Sequence, residues 1–172
     1  MSGGPTQDEI MAVSLFKLGL KKGDRFADIG CGTGKVSIEA ARTCNVVYSI
    51  DSRSEAIEAT RVNVSESGMD NIVIIKGSAN ESLPRLGPLD CAFVGGSKEL
   101  NDVLRTLASI VKGRIVVNAV LLSTLENAVA TMKDLGIFEE VVQMNVSRSY
   151  DLAGSVMFKP IDPVFIIVGR VN

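Results

Sequence analysis

The 172-residue chain is 46% hydrophobic and carries 18 basic and 20 acidic side chains, for a net charge of −2. This length and composition predict one globular domain with a sizeable core, and the lack of a basic surplus argues against a duplex nucleic-acid binder, which must neutralise phosphates. The chain has no histidine, which excludes a Ser-His-Asp hydrolase and removes the commonest general base and metal ligand.

Composition also argues against a membrane or secreted protein. No apolar run reaches the length of a membrane span, and the first ten residues lack the charged and apolar pattern of a signal peptide. Cys31, Cys44 and Cys91 are odd in number and show no C-x-x-C spacing. We therefore expect reduced, mostly buried thiols, a cytoplasmic location and no bound metal.

The predicted elements alternate between helix and strand along most of the chain. An amphipathic pattern at 7–18, ended by Gly19 and Gly23, predicts that the single domain of residues 1–172 opens with a helical segment at about 5–20. Short runs rich in Val and Ile predict buried strands at 25–29, 46–50, 72–75, 91–94 and 115–120, and helices are expected at 35–43, 54–66, 97–110 and 123–135. The order predicts an α/β fold: a doubly wound, mostly parallel seven-stranded sheet with helices on both faces.

The pattern changes after Gly136. Two strand-like runs, FEEVVQMNVSR and DPVFIIVGR, follow without an intervening helix, and we expect them to form an antiparallel C-terminal hairpin of the sheet. The connecting residues 149–161 are predicted to be a long irregular loop, of the kind that often forms a lid. Serines precede three of the predicted helices, and Ser52 or Ser54, Ser97 and Ser123 are the expected N-caps.

The stretch DRFADIGCGTGKVSIEA at 24–40 has the order of a strand, a glycine-rich turn and a helix. A Walker loop is excluded, because Val36 stands at its hydroxyl position and Ile29 where its first glycine belongs. A dinucleotide fingerprint is weakened without being removed, since its third glycine would fall on Lys35. What remains is an acid, Asp28, two residues before a G-x-G-x-G turn.

This turn resembles the first motif of the class I S-adenosylmethionine-dependent methyltransferases. Asp28 can pair with the ammonium group of the cofactor's methionine end, directly or through water, and the glycines let the backbone approach a nucleoside. Asp51 ends the second predicted strand, where a carboxylate can accept both ribose hydroxyls. The alternative is a cluster of turn glycines followed by an aspartate that caps the next helix.

The turns after the third and fourth strands narrow the chemistry. The segment GSAN at 77–80 departs from the Gly-Asp-Ala-like turn of the superfamily, so Ser78 offers only an uncharged acceptor to adenine, beside the backbone of Ala79. FVGGS lacks the Asn/Asp-Pro-Pro-Tyr motif of many amino-group methyltransferases, and Asp90 lies at the wrong end of its strand for a metal site. An electron-rich carbon is therefore the favoured methyl acceptor.

Several segments together resemble the CbiT-type cobalt-precorrin C15-methyltransferases (decarboxylating) of anaerobic cobalamin synthesis. They are GGPTQDEI, DIGCGTG, YSIDSRSEAIEATRVN, FVGGS, IVVNAVLLSTLENA, MNVSRS and DPVFIIVG. The resemblance implies S-adenosyl-L-methionine as the cofactor, methylation at C15 of cobalt-precorrin-6B, loss of CO2 from the C12 acetate to give cobalt-precorrin-7, and a homotetramer. It places cofactor-binding residues at Thr6, Gly30, Cys31, Gly32, Thr33, Gly34, Asp51 and Ala79.

A macrocycle with several carboxylates needs cations and polar groups around its binding site. Arg148 is the strongest candidate, because it opens the long segment before the last strand; Lys98 is as well explained as a solvated lysine at a helix start. Asn118 lies within an apolar strand, where a buried amide needs partners. Glu9 is expected to be an acid of the first helical turn, and GGPT is expected to form a strap over the cofactor. No catalytic residue is predicted.

Two alternatives stay open at this point. An RNA methyltransferase of the same fold would need an added RNA-binding domain and a basic face. A non-catalytic cofactor-binding subunit would have a damaged glycine loop or lack Asp51, and both are intact in this chain.

Overall fold

The computed structural model describes residues 6–96 and 98–171. The helices are α1 (Asp8–Leu18), α2 (Lys35–Ala41), α3 (Ser54–Ser67), α4 (Ala79–Ser82), α5 (Leu100–Ile110) and α6 (Leu122–Asp134), with a 3₁₀ turn at Leu83–Arg85. The strands are β1 (Arg25–Ile29), β2 (Val46–Asp51), β3 (Ile72–Lys76), β4 (Cys91–Val94), β5 (Arg114–Ala119), β6 (Phe138–Met144), β7 (Ser147–Leu152), β8 (Ser155–Pro160) and β9 (Val164–Arg170).

Seven strands form one sheet in the order β3-β2-β1-β4-β5-β9-β6. Strands β1 to β5 are mutually parallel, and β9 runs antiparallel to both β5 and β6. The predicted doubly wound, mostly parallel sheet and its antiparallel C-terminal pair are confirmed. The order reverses between β1 and β4, which opens a crevice at the carboxyl ends of these two strands.

Helices cover both faces of the sheet, and each face has its own core. On one face, Leu104 of α5 and Met132 of α6 are fully buried beside Ile115 of β5. On the other face, Ile10 of α1 and residues of α2 pack over Phe26, with the central strands. Because the central strands are apolar on both sides, their runs of Val, Ile and Phe were readable from the sequence.

The expected serine N-caps are wrong wherever the structure describes them. Helix α3 begins at Ser54 with Arg53 at its N-cap position, and the Arg53 N–H donates to the Asp51 carboxylate at 3.0 Å. The Asp51 carboxylate, and not a serine hydroxyl, therefore accepts a hydrogen bond from the backbone at the start of α3. Helix α6 begins at Leu122, before Ser123, with Leu121 at its N-cap position. Ser97 lies outside the described residues.

The prediction of a long irregular loop at 149–161 is also wrong. Strands β7 and β8 pair as an antiparallel two-stranded hairpin, and every residue of both strands is exposed. The turn between them, Ala153-Gly154, has φ values of 53° and 79°. This geometry suits a tight hairpin. An alanine in the left-handed region is unusual, so the turn gave no clear sequence signal.

Within residues 6–96 and 98–171, no helix is both long and apolar enough to cross a membrane. The same residues contain no group of three or more acidic or cysteine side chains arranged to hold a metal ion.

Candidate cofactor site in the crevice

The loops that follow the central strands are joined by backbone hydrogen bonds along one edge of the sheet. The N–H groups of Gly30 and Cys31 donate to the Ile50 carbonyl at 2.8 and 3.1 Å. The Gly95 N–H donates to the Ile29 carbonyl at 2.8 Å, and the Gly77 N–H donates to the Asp51 carbonyl at 3.1 Å. The glycine loop, the acid that ends β2 and the turns after β3 and β4 are therefore connected along one rim of the sheet.

The three glycines of the loop have different reasons to be glycine. All three have left-handed backbones, with φ values of 74° at Gly30, 59° at Gly32 and 77° at Gly34. A Cβ on Gly30 would lie 2.9 Å from the Gly96 nitrogen, and one on Gly34 would lie 2.9 Å from Cγ2 of Thr60. A Cβ on Gly32 would approach no atom closer than 3.9 Å. The absence of a side chain at Gly32 therefore leaves an open space beside the loop, which a ribose or another part of a ligand can fill.

Helix α3 holds the glycine loop in place through residues that the sequence analysis missed. The Thr60 hydroxyl donates to the Gly32 carbonyl at 3.0 Å, and the Asn63 amide donates to the Thr33 carbonyl at 2.8 Å. Their three-residue spacing puts both on one helical face, which was the available signal. The Cys31 thiol is buried, and burial raises its pKa to about 12, so it is uncharged near neutral pH.

Asp28 lies beneath the loop and is 1% exposed. Its Oδ2 accepts a hydrogen bond from Ser37 at 2.5 Å, and Ser37 in turn accepts one from Ser49 at 2.6 Å. Its Oδ1 is buried and has no partner among the described residues. Burial raises the pKa of Asp28 to about 7, although the Ser37 hydrogen bond opposes the shift. A buried acceptor without a partner fits a nearby ammonium group, directly or through water.

Asp51 ends β2, as expected, and its side chain is 4% exposed. The carboxylate accepts a hydrogen bond from the Gly32 N–H at 3.1 Å. It also accepts two from the guanidinium group of Arg53, at 3.1 Å from Nε and 2.9 Å from Nη2. Burial alone would raise the pKa of Asp51, but the hydrogen bonds from Arg53 and Gly32 outweigh it and lower the pKa. The carboxylate is therefore ionised and suited to accept ribose hydroxyls.

Ser78 lies in the turn after β3, at the N-cap of α4. Its hydroxyl accepts the Glu81 N–H at 3.3 Å, and a contact with adenine stays a prediction. Ala79 is the first residue of α4. The side-chain nitrogen of Asn80, which the sequence analysis did not single out, donates to Glu99 at 2.9 Å, and its oxygen is buried without a partner among the described residues.

Thr6 reaches the same rim through Lys35. The Lys35 ammonium, at the start of α2, donates to the Thr6 carbonyl at 3.2 Å and forms an ion pair with Asp8. The first turn of α1 is thereby tied to the helix that follows the glycine loop. Residues 1–5, which include most of the predicted GGPT strap, lie outside the described residues.

The three predicted substrate residues lie in different surroundings. Arg148, on β7, forms a bidentate ion pair with Glu9, which is indeed in the first turn of α1. Lys98 is exposed in the turn after β4 and forms no ion pair within the described part of the chain. The Asn118 oxygen accepts a hydrogen bond from Ser14 at 3.1 Å, and its buried amide nitrogen has no partner among the described residues. Arg148 and Asn118 both contact α1, and Lys98 stays a separate prediction.

The strand order and the glycine loop define a class I methyltransferase fold, of which an O-methyltransferase from Thermotoga maritima is a structural neighbour (TM-score 0.79, 16% identity, covering 100% of this chain and 69% of that one). Residues 2–169 match the family model of the precorrin methyltransferase domain. The chain therefore belongs to the precorrin methyltransferase family.

Relatives of this family align over nearly the whole chain. A probable cobalt-precorrin-6B C(15)-methyltransferase (decarboxylating) from Methanosarcina acetivorans is 51% identical, covering 99% of this chain and 95% of the relative. A protein of the same description from Methanothermobacter thermautotrophicus is 36% identical, covering 98% and 90%. The crystal structure of precorrin 8W decarboxylase from Methanobacterium thermoautotrophicum has a TM-score of 0.94 at 36% identity, covering 97% of this chain and 92% of that chain.

Proposed function

We propose that this protein uses S-adenosyl-L-methionine to methylate C15 of cobalt-precorrin-6B, with loss of CO2 from the C12 acetate, giving cobalt-precorrin-7. The observation that carries the proposal is the 51% identity to a relative described by this reaction, extending over 99% of the chain. The intact glycine loop and the ionised Asp51 support use of the cofactor. A putative RNA methyltransferase from Pyrococcus horikoshii shares the fold at only 15% identity, so the RNA alternative gains no support.

In this mechanism the chain binds and positions the two reactants. The cofactor, when bound, supplies an activated methyl group on sulfur. Asp51 accepts the ribose hydroxyls, Asp28 lies under the loop with one carboxylate oxygen available to the ammonium group, and the open space at Gly32 accommodates the nucleoside. Thr6 and Ala79 complete the cofactor site by family resemblance.

Transfer to carbon then depends on alignment. The acceptor carbon must be held in line with the methyl group at about 3–3.5 Å, and a reduced tetrapyrrole carbon provides its own electrons. A histidine base is not required, in keeping with a chain that has none. Arg148 binds a substrate carboxylate, and Lys98 and Asn118 contribute further polar contacts in this proposal.

We also propose that the protein is a cytoplasmic homotetramer. The β7–β8 hairpin supports assembly, because Val156 and Phe158 are 71% and 65% exposed on a two-stranded ribbon that has no apolar cover from its own chain among the described residues. Such ribbons are marginal in isolation and gain stability when a partner covers them. The three buried cysteines are free thiols, which suits a reducing compartment.

A turnover assay tests the reaction directly. The purified protein is incubated with S-adenosyl-L-methionine and cobalt-precorrin-6B, and the corrinoid product is followed by mass spectrometry. The expected product has gained one methyl group and lost one CO2, and Asp51→Ala should form it much more slowly. A product with the methyl group but with the acetate retained would contradict the decarboxylating assignment, and an unchanged corrinoid would contradict the methyltransferase assignment.

A further inference from the structure

The Asp51 carboxylate is fully occupied by hydrogen bonds from its own chain. Oδ1 accepts from the backbone N–H and Nε of Arg53, at 3.0 and 3.1 Å. Oδ2 accepts from the Gly32 N–H at 3.1 Å and from Nη2 of Arg53 at 2.9 Å. A carboxylate has about four acceptor positions, two on each oxygen. Four N–H donors therefore leave no position for a hydroxyl group.

The two kinds of donor differ in whether they can leave. The backbone N–H groups of Gly32 and Arg53 are fixed by the loop and by the start of α3. The guanidinium group belongs to a side chain that is 49% exposed, so it can rotate into solvent without unfolding anything. It is also the donor that bridges both carboxylate oxygens, which is what a vicinal diol does when it donates one hydrogen bond to each oxygen.

The position of the guanidinium group relative to the glycine loop leads to the same conclusion. The space in front of Gly32 is open apart from two atoms at about the limit of contact: the Gly30 carbonyl oxygen at 3.9 Å and Nη2 of Arg53 at 4.0 Å from an added Cβ. The guanidinium group thus lies over the loop that would face the nucleoside. It lies at the edge of the open space in front of Gly32, on the Asp51 carboxylate.

We propose that the Arg53 guanidinium occupies the ribose position on Asp51 and is exchanged for the ribose hydroxyls when the cofactor binds. This inference rests on the proposed use of S-adenosyl-L-methionine. Cofactor affinity then reflects the difference between the hydroxyl–carboxylate bonds gained and the guanidinium–carboxylate bonds lost. Arg53 competes with the ribose hydroxyls for Asp51 and so weakens cofactor binding. Before the cofactor binds, its positive charge compensates the negative charge of the nearly buried carboxylate.

Calorimetric titration with S-adenosylhomocysteine tests the exchange without turnover. Arg53→Met removes the fork and keeps much of the side-chain length, and Arg61→Met on the exposed side of α3 is the matched control. We expect Arg53→Met to bind about two- to fivefold more tightly than the parent, because half-exposed ion pairs contribute modestly. The control should bind like the parent. At about 0.5 M salt the advantage should shrink, since salt screens the parent's ion pair.

Each other result overturns the proposal. Equal affinity would mean that the fork does not compete, and weaker affinity would mean that the guanidinium group contacts the ligand. Failure of the parent to bind S-adenosylhomocysteine would overturn the cofactor assignment and the exchange together. The Nε–H resonance of Arg53 in nitrogen-resolved NMR reports on the ion pair directly. Saturating ligand should remove the protection of this proton from exchange with solvent. Unchanged protection would also overturn the proposal.

Discussion

The guanidinium group of Arg148 forms two hydrogen bonds to the Glu9 carboxylate, at 3.2 Å from Nε and 2.6 Å from Nη2. This contact links the β7–β8 hairpin to the first turn of α1, which is itself tied to Lys35 beside the glycine loop. Hydrogen bonding from Arg148 lowers the pKa of Glu9, so the pair stays charged. Because Glu9 uses one edge of the guanidinium, the opposite edge keeps N–H groups for a second carboxylate.

Arg148→Ala should therefore impair use of the corrinoid and leave the cofactor site intact. We expect kcat/KM for cobalt-precorrin-6B to fall about 10- to 100-fold, in the range of a lost charge-assisted hydrogen bond, with unchanged affinity for S-adenosylhomocysteine. Arg148→Lys should recover only part of the loss, because the planar fork is missing. Arg105→Ala on α5 is the control for removing an exposed cation. Parent-like turnover in both Arg148 variants would show that the substrate binds elsewhere.

Asp28 predicts a pH dependence of cofactor binding. Its pKa is raised to about 7 by burial, and a bound ammonium group favours the ionised form. Affinity for S-adenosylhomocysteine should thus be highest above pH 7 and fall as the pH drops below 7, approaching about tenfold per pH unit. Calorimetry between pH 5.5 and 7.5 measures this slope. The chain has no histidine whose titration would contribute in the same range.

Asp28→Asn is the control for this titration. An amide is neutral across the range, so the variant should bind more weakly and with little dependence on pH. A parent protein with equal affinity at pH 5.5 and 7.5 would show that Asp28 does not serve the ammonium group.

The contact between Gly30 and Gly96 predicts a steric penalty. Gly30→Ala would place a Cβ 2.9 Å from the Gly96 nitrogen, whereas Gly68→Ala, at a similar φ of 69°, meets nothing within 4 Å. Both substitutions cost roughly 1–2 kcal/mol for a left-handed alanine. Gly30→Ala should lose a further ~1–3 kcal/mol of unfolding free energy, because main-chain atoms must move apart. Urea denaturation of both variants measures the difference; equal losses would mean that the two loops separate easily.

The exposed hairpin predicts the assembly state. Val156→Asp combined with Phe158→Asp should give monomers in sedimentation experiments, since two carboxylates would be buried in any interface formed by this ribbon. Val62→Asp, at an apolar residue of α3 that is 49% exposed, should leave the assembly unchanged. The monomer should still bind S-adenosylhomocysteine, because one chain supplies the predicted cofactor residues. A double variant that remains assembled would place the interface on another surface.

The sheet was predictable because its strands are apolar on both faces. The bounds of β1 and β4 agree with the sequence prediction at both ends. The starts of α2 and α3 also agree with the prediction. The N-cap of α3 was not predictable, because its Arg53 N–H donates to the Asp51 carboxylate at the end of β2 and not to a local serine. The hairpin was missed since its strands bury nothing within the chain, so no apolar alternation directed at a core marked them.

The candidate site was predictable in part for a similar reason. The glycine loop and Asp51 follow from local spacing, and the structure places them on one rim. Thr60 and Asn63 support that loop from another helix, and their spacing says only that they share a face. The ion pair between Arg53 and Asp51 was missed because a spacing of two residues gives no sequence signal that a side chain will fold back onto a strand-end carboxylate.

The contact of Gly30 with Gly95 and Gly96 has a consequence for how such an enzyme can diversify. The loop after β1 and the loop after β4 meet through main-chain atoms, with the Gly95 Cβ position only 3.3 Å from the Gly30 carbonyl oxygen. A larger residue at Gly30 or Gly95 would disturb this contact, because an added Cβ would lie 2.9 Å from the Gly96 nitrogen or 3.2 Å from Cε1 of Phe93. A new methyl acceptor is therefore more readily accommodated by exchanging the hairpin at 147–160 or the exposed apolar segment at 120–122. Grafting these two segments from a relative should therefore alter acceptor choice while the loops after β1 and β4 are kept unchanged.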